Sequence, residues 1–315
     1  MTTALLFPGQ GEQRPGMLHD LPDHPAVART LDEISDALDL DVRTLDTAEA
    51  LRSNAAAQLA LFSASLATYR ALHALGVRPE HVAGHSIGAF AAAVACGALT
   101  LGDAARAVRV RGAAMERAYP SGYGMGVVLG LPEPAVVRIV ESVHTPESPV
   151  HPANVNAPLQ IAVSGALPAV DRVLALALEH GAAKARRLAV SVPAHCPLMA
   201  AARAELAAHL ARVPFTRPGT PFAGNAGGRT LRTAEAVHAD LVDSLTRPVR
   251  WHEATCVLRE RGVDLFVQVS PGDTLARLAA TAFPEARVTC LRADTPEHVA
   301  ELVAWTAGQR ARHRP

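Results

Sequence analysis

The chain has 315 residues, 30 basic and 30 acidic side chains, a formal net charge of +0, and a composition that is 49% hydrophobic and 4% aromatic. That is enough apolar material for one large α/β core, or a large core with a smaller one beside it, while the balanced charge argues against a nucleic-acid partner. No stretch reaches the ~20 apolar residues of a membrane span, no basic or long apolar leader opens the chain, and Cys96, Cys196, Cys256 and Cys290 are scattered without a C-x-x-C pair, so a reduced, cytoplasmic protein without membrane contact is expected.

Residues 4–7 read as a buried first strand, ended by Pro8-Gly-Gln-Gly11, a turn whose backbone can come close to a ligand. An amphipathic helix over 26–38 follows, with Val27, Leu31, Ile34 and Leu38 at helical spacing. Further helix is expected over 47–52 and over 55–75, the second nearly apolar throughout and therefore central, closed by Gly76. After the segment around Ser86, residues 89–98 read as a buried helix and 101–118 as another that carries Arg106, Arg109, Arg111 and Arg117.

From Gly124 the pattern changes. Strands over 125–131, 152–156, 160–164 and 185–190 alternate with helices over 134–143 and 168–180. That β-α-β-β-α-β order is the split βαβ of a ferredoxin-like unit, read as an insertion over 124–190 because long helices resume afterwards. Residues 198–213 are expected to be helical, 222–225 a short strand, 241–245 and 251–261 helical, 265–269 a buried strand, 287–292 the last strand and 299–305 a closing helix, with a basic, frayed tail after Gly308.

The chain is organised around His81-Val-Ala-Gly-His-Ser-Ile-Gly-Ala-Phe90. Small apolar residues end a strand, Gly84 and Gly88 flank Ser86 in the G-x-S-x-G spacing, and a helix begins near Ile87. Glycines on both sides permit a strained turn that lifts the serine hydroxyl above the sheet edge, at the positive end of the helix. The competing reading is a chance pair of glycines; a base for the serine decides between them. Among the 14 histidines, His19 with His24 and His81 with His85 have spacings seen in metal sites, but neither pair shares a helix face with a third ligand, so no metal is expected. His85 adjoins the serine and would project away from it. His195 sits on a loop of small residues and prolines with no core periodicity to explain it, which makes it the candidate general base, the alternative being a surface histidine.

Taken together, Phe7-Pro-Gly-Gln-Gly11, Gly84-His-Ser-Ile-Gly88, Arg111-Gly112, Asn154-x-Asn156-x-Pro158-x-Gln160, Val192-Pro-x-His195-Cys196, Pro248-Val-x-Trp251 and Pro271-Gly272 resemble, in order and spacing, the malonyl-CoA:acyl carrier protein transacylases over nearly the whole chain. Within that family, Met17-Leu-His-Asp-Leu-Pro-Asp-His-Pro25 and Tyr119-Pro-Ser-Gly-Tyr-Gly-Met125 look most like the epsilon subunit of biotin-independent malonate decarboxylase.

The resemblance implies an α/β fold in which residues 1–123 and 191–315 form an α/β-hydrolase-like acyltransferase domain with a parallel sheet, and 124–190 an inserted ferredoxin-like subdomain. It implies Ser86 as nucleophile, His195 as general base oriented by the carbonyl of Ser244, and the amides of Gln10 and Ile87 as oxyanion hole. Arg111 would hold the free carboxylate of malonyl, with Asn156 and Gln13 lining the same cleft. No cofactor would be bound: malonyl-CoA and the phosphopantetheine-type thiol of an acyl carrier protein are the substrates of a ping-pong transfer.

The carrier is expected to be that of malonate decarboxylase, with its other subunits as further partners; the alternative is the transacylase of fatty-acid or polyketide synthesis. An α/β-hydrolase esterase shares the elbow but needs a late acid and histidine, and His252, His298 and His313 have no convincing acidic neighbour. A non-catalytic scaffold that docks a carrier would not need the Ser86, His195 and Arg111 set. Glu12 and Ala194 stand where the family usually has serine, and Thr246-Arg247 where Tyr-Asn is usual, which bears on carrier docking and malonyl selectivity.

Overall fold

The computed structural model describes residues 2–291 and 295–312. Six strands build the larger sheet: β1 (Thr2–Phe7), β2 (His81–Gly84), then, after the four strands of the smaller sheet, β7 (Phe222–Ala223), β8 (Thr230–Leu231), β9 (Val263–Gln268) and β10 (Arg287–Cys290), in the order β10-β9-β1-β2-β7-β8. All neighbours are parallel except β7 and β8, which form an antiparallel edge. Strands covered on both faces have no polar side to alternate with, and β1 is buried at every residue.

Around this sheet lie α1 (Pro25–Leu38), α2 (Asn54–Ala74), α3 (Gly88–Ala95) and α4 (Leu101–Ala118), and later in the chain α7 (Ala200–Leu210), α8 (Ala234–Asp243), α9 (Trp251–Glu260), α10 (Thr274–Ala282) and α11 (Pro296–Arg312). Helix α2 is central, as its apolar composition implies: residues from Ala57 to Thr68 are buried without interruption. Polar side chains on that buried stretch, Gln58 above all, therefore need partners inside the protein.

The smaller sheet comprises β3 (Tyr123–Leu129), β4 (Val150–Ala157), β5 (Gln160–Ala166) and β6 (Lys184–Arg187), antiparallel in the order β4-β5-β3-β6. Helices α5 (Glu133–Val143) and α6 (Leu167–Glu179) cover one face, packing Val136, Val140, Val170 and Val173 on Val128, Ile161 and Val163. Counted within this segment the strand order is 2-3-1-4, that of a ferredoxin-like unit. Its other face is not free: Met125, Ala153 and Ala162 belong to the large core. Two backbone hydrogen bonds, Val155 N to Val249 O and Val249 N to Ala153 O, both 2.8 Å, stitch β4 to the segment before α9.

Several elements differ from the sequence expectation. Instead of a helix over 47–52 there are two short 3₁₀ turns, Val42–Asp46 and Ala50–Arg52. Thr47 and Ser53 each accept a hydrogen bond from a backbone amide three residues on, Ala50 N and Ala56 N, and so start new turns rather than continuing one. Likewise Thr233 caps α8 through Ala236 N, so that helix begins seven residues earlier than the expected 241. Strand β6 ends at Arg187 and not at 190, β8 and α10 were not anticipated, and β10 ends at Cys290, with Arg292 outside the described residues. Helix α11 continues to Arg312, past the fraying expected after Gly308; residues 313–315 lie outside the described chain. The four cysteines are free thiols. Among the described residues no helix is long and apolar enough to cross a membrane, and no group of three or more metal-ligating side chains forms.

Candidate active site

Ser86 stands at the end of β2 with φ of 53°, a left-handed conformation that is costly for a residue with a side chain. The glycines make it possible. A Cβ on Gly84 would lie 2.3 Å from the carbonyl of Gly88, and one on Gly88 2.2 Å from Phe7 O. The strained turn is also held from outside by Asn225, which follows β7. Its Oδ1 accepts from Ser86 N and its Nδ2 donates to Gly84 O, both at 2.9 Å. Asn225 is itself fixed by the buried Asp240 of α8, whose two oxygens accept from the amides of Asn225 and Ala226, each at 2.9 Å.

His195 is 2% exposed and also has a positive φ, 63°. Its Nδ1 lies 2.5 Å from Ser244 O at the C-terminal end of α8. A carbonyl can only accept, so the proton is on Nδ1, and Nε2 is left with a lone pair that faces Ser86 Oγ at 2.7 Å. Burial foremost, then the charge of Arg111, pushes the imidazole pKa down to about 3, against the opposing pull of the Ser244 carbonyl. At neutral pH the ring is uncharged and able to accept a proton. His195 is thus not the surface histidine that the sequence left open.

Arg111 projects from α4 and is 1% exposed. Nη1 donates to Gln58 Oε1 at 2.5 Å and Nη2 to Ser86 Oγ at 3.1 Å, while Nε has no partner. Burial lowers its pKa to about 10, so it is charged at neutral pH, and among the described residues no carboxylate pairs with it. A buried, unpaired guanidinium is costly unless something binds there. Gln58 also donates to Asn54 Oδ1 at 3.1 Å and to Gln10 Oε1 at 3.4 Å, which links the arginine to the Pro8-Gly-Gln-Gly11 turn.

The amides flanking the elbow are satisfied: His85 N by Phe7 O, Ser86 N by Asn225, Gly88 N by His85 O and Ala89 N by Ser86 O. The amides of Ile87 and Gln10 donate to no protein acceptor among the described residues. Two clefts meet at Gln10 and Leu188. One, about 640 Å³, is lined by Gln13, Ser53, Asn54, Tyr123 and Arg187. The other, about 520 Å³, is lined by His85, Asn156, Lys184, Arg186 and Arg277.

The structure therefore brings Ser86, His195, Arg111 and the Ser244 carbonyl together. Asn156 lines the second cleft, but its Oδ1 is engaged by His85 Nε2 at 3.0 Å, and Gln13 lines the first, its Oε1 taken by Gly11 N at 2.6 Å. Gln58, Asn225 and Asp240 were missed from sequence. A polar residue in the apolar run of α2 was the only available signal, and it pointed to Gln58 alone.

A profile of the acyl transferase domain family matches residues 4–309. The malonyl CoA-acyl carrier protein transacylase of Escherichia coli K12 is 36% identical over 281 residues, 87% of this chain and 91% of the relative, and that of Bacillus subtilis 168 is 35% identical over 280 residues, 87% and 88%. Among solved structures, the Coxiella burnetii malonyl CoA-acyl carrier protein transacylase superposes with a TM-score of 0.90 at 35% identity, covering 97% of this chain and 96% of its own. A malonyl-transacylase solved in complex with its type II polyketide acyl-carrier protein gives 0.90 at 35% identity, covering 95% and 99%.

Proposed function

The chain belongs to the malonyl CoA-acyl carrier protein transacylases of the acyl transferase domain family, and from that premise we propose that it moves malonyl from malonyl-CoA to a carrier thiol through an ester on Ser86. The observation that carries this reading is the convergence of two groups on one hydroxyl. His195 Nε2 faces Ser86 Oγ at 2.7 Å as proton acceptor, and the unpaired Arg111 faces it at 3.1 Å as cation. A nucleophile beside a buried cation suits an acyl group that brings its own second carboxylate.

In the first half-reaction Ser86 Oγ attacks the thioester carbonyl while His195 Nε2 takes its proton. The oxyanion that develops is received by the free amides of Gln10 and Ile87; removing one such donor typically costs about 3–4 kcal/mol of transition-state stabilisation. The C–S bond breaks, His195 returns the proton to the departing CoA thiolate, and malonyl remains as an ester. Its free carboxylate takes the Nε–Nη2 edge of Arg111, the edge with hydrogen-bonding capacity left once Gln58 has engaged Nη1. In the second half-reaction the carrier's phosphopantetheine-type thiol gives its proton to His195, attacks the ester, and Ser86 recovers its hydrogen. No bound cofactor takes part: CoA and carrier arm are both substrates.

Of the two carriers expected from sequence, the relatives' names favour that of fatty-acid or polyketide synthesis. The malonate decarboxylase reading rests on two short segments and has no counterpart among those names. The test is malonyl-CoA alone, followed by peptide mass spectrometry. A lasting malonyl adduct on Ser86 supports transfer, and rapid release of free malonate makes the protein a hydrolase. Presenting the acylated enzyme with a fatty-acid-type holo-carrier and with the decarboxylase carrier then decides between the two partners.

A further inference from the structure

Glu12 lies in the turn that presents the Gln10 amide. Among the described residues, no backbone–backbone hydrogen bond holds any of residues 8–13. The Gln13 contact to Gly11 is internal to the turn. Among the described residues, only two of its side chains tie it to the rest of the protein by hydrogen bonds. Gln10 Oε1 meets Gln58 Nε2 at the long distance of 3.4 Å. Glu12, in contrast, reaches across to α10, where its carboxylate accepts from Asp273 N at 3.3 Å and Thr274 N at 3.1 Å.

The side chain of Asp273, the N-cap residue of α10, makes no capping hydrogen bond; Gln268 Oε1 accepts from Ala276 N at 2.9 Å further into the first turn. Glu12 supplies the acceptor for Asp273 N and Thr274 N, and the negative charge that a helix N-terminus favours. The space is built for it. A Cβ on Gly272 would lie 1.4 Å from Glu12 Oε2, and Gly272 has φ of 72°, so only glycine there leaves room for the carboxylate.

We propose that Glu12 is a positioning residue for the transfer: by capping α10 from the Gln10 turn, it fixes the turn so that the Gln10 amide is aimed at the developing oxyanion. This rests on the reading of Gln10 as an oxyanion donor. It makes Glu12 and Gly272 a matched pair.

The test measures the rate constant for Ser86 malonylation at saturating malonyl-CoA, the KM and the melting temperature for the wild type, Glu12→Ala, Glu12→Gln, Gly272→Ala and the Glu12→Ala/Gly272→Ala double variant. Glu12→Ala is expected to slow acylation about tenfold, a fraction of the effect of deleting an oxyanion donor outright, with KM changed less than about twofold. Glu12→Gln keeps one acceptor oxygen for Thr274 N and should fall between the two. Gly272→Ala evicts the carboxylate and should reproduce the Glu12→Ala rate, with the double variant no slower than either. Wild-type acylation in Glu12→Ala, a loss confined to KM or melting temperature, or rate effects that multiply in the double variant would each overturn the proposal. Should Glu12→Ala not fold, Glu12→Gln decides by the same split between rate and KM. If the wild type itself fails to acquire malonyl on Ser86, it is the function reading that falls.

Discussion

The carboxamide of Asn225 spans the nucleophile turn: it accepts from Ser86 N and donates to Gly84 O, both at 2.9 Å. Two backbone groups that a left-handed serine would otherwise leave unpaired are satisfied by one side chain 139 residues away in sequence. Asn225→Ala should therefore lower both stability and turnover. The stability loss should be about 1–3 kcal/mol per orphaned backbone group, read as a fall in melting temperature. Asn225→Asp is expected to be no better, because it loses the Nδ2 donor and sets a second carboxylate against Asp240, whose pKa burial already raises. Wild-type acylation in both variants would show that the turn holds without the clamp.

Arg111→Ala should separate substrates. Removing one partner of a desolvated charge pair costs about 2–5 kcal/mol, so malonyl transfer should fall by roughly two orders of magnitude or more. Acetyl transfer, with no second carboxylate, should change little or rise. Arg111→Lys is expected to recover only part of the malonyl rate, since an ammonium cannot present the two-pronged Nε–Nη2 edge or keep Gln58 engaged at the same time. The check is kcat/KM for malonyl-CoA and acetyl-CoA measured side by side; equal losses would remove the carboxylate role.

Gly88→Ala tests the turn itself. The added methyl would meet Phe7 O at 2.2 Å and Pro8 O at 2.7 Å, both backbone atoms of the neighbouring strand end. Nothing flexible can give way, so the variant should be recovered largely insoluble or with a much lower melting temperature. Gly97→Ala, a left-handed glycine with open space around its Cβ position, provides the contrast: it carries only backbone strain, about 1–2 kcal/mol.

These variants also mark what could be read from the chain before its structure. The elbow was legible because its chemistry is local: two glycines and a serine within five residues. The ferredoxin-like order was legible because strand and helix periods alternate along one continuous segment. Arg111 carried no local signature and needed the family resemblance, while His195 stood out only as a loop histidine without core periodicity. Asn225 and Asp240 were invisible for a physical reason: they reach the elbow only through the parallel sheet, whose pairing of β2 with β7 joins Val82 to Phe222. Gln58, a polar residue in an apolar run, meets Arg111 only through the packing of α2 on α4. Asn156 lines the second cleft as well as holding His85 through its amide oxygen, a pairing no local pattern announced.

The pH dependence follows from the two buried groups on Ser86. The His195 pKa is depressed from 6.5 to about 3, by burial first and the Arg111 charge second. Its base form therefore persists as pH falls, and the acylation rate should show no inflection near 6.5. The unfolded chain, by contrast, protonates this histidine near its ordinary value. Between about 6.5 and 3 the unfolded state binds a proton that the folded state does not, so this group's contribution to stability is complete above 6.5 and is lost progressively as pH falls. The acid limit of activity should be set by unfolding, seen as coincident loss of rate and of melting temperature. On the alkaline side Arg111, lowered to about 10 by burial, loses its charge, so malonyl acylation should fall as pH passes about 10 while acetyl transfer does not share that limb. In Arg111→Ala the electrostatic depression of His195 is removed, and the onset of its protonation should move to higher pH. Rate–pH profiles for malonyl-CoA and acetyl-CoA on both proteins check each part, and a wild-type inflection near 6.5 would place His195 in a far wetter environment than the one described.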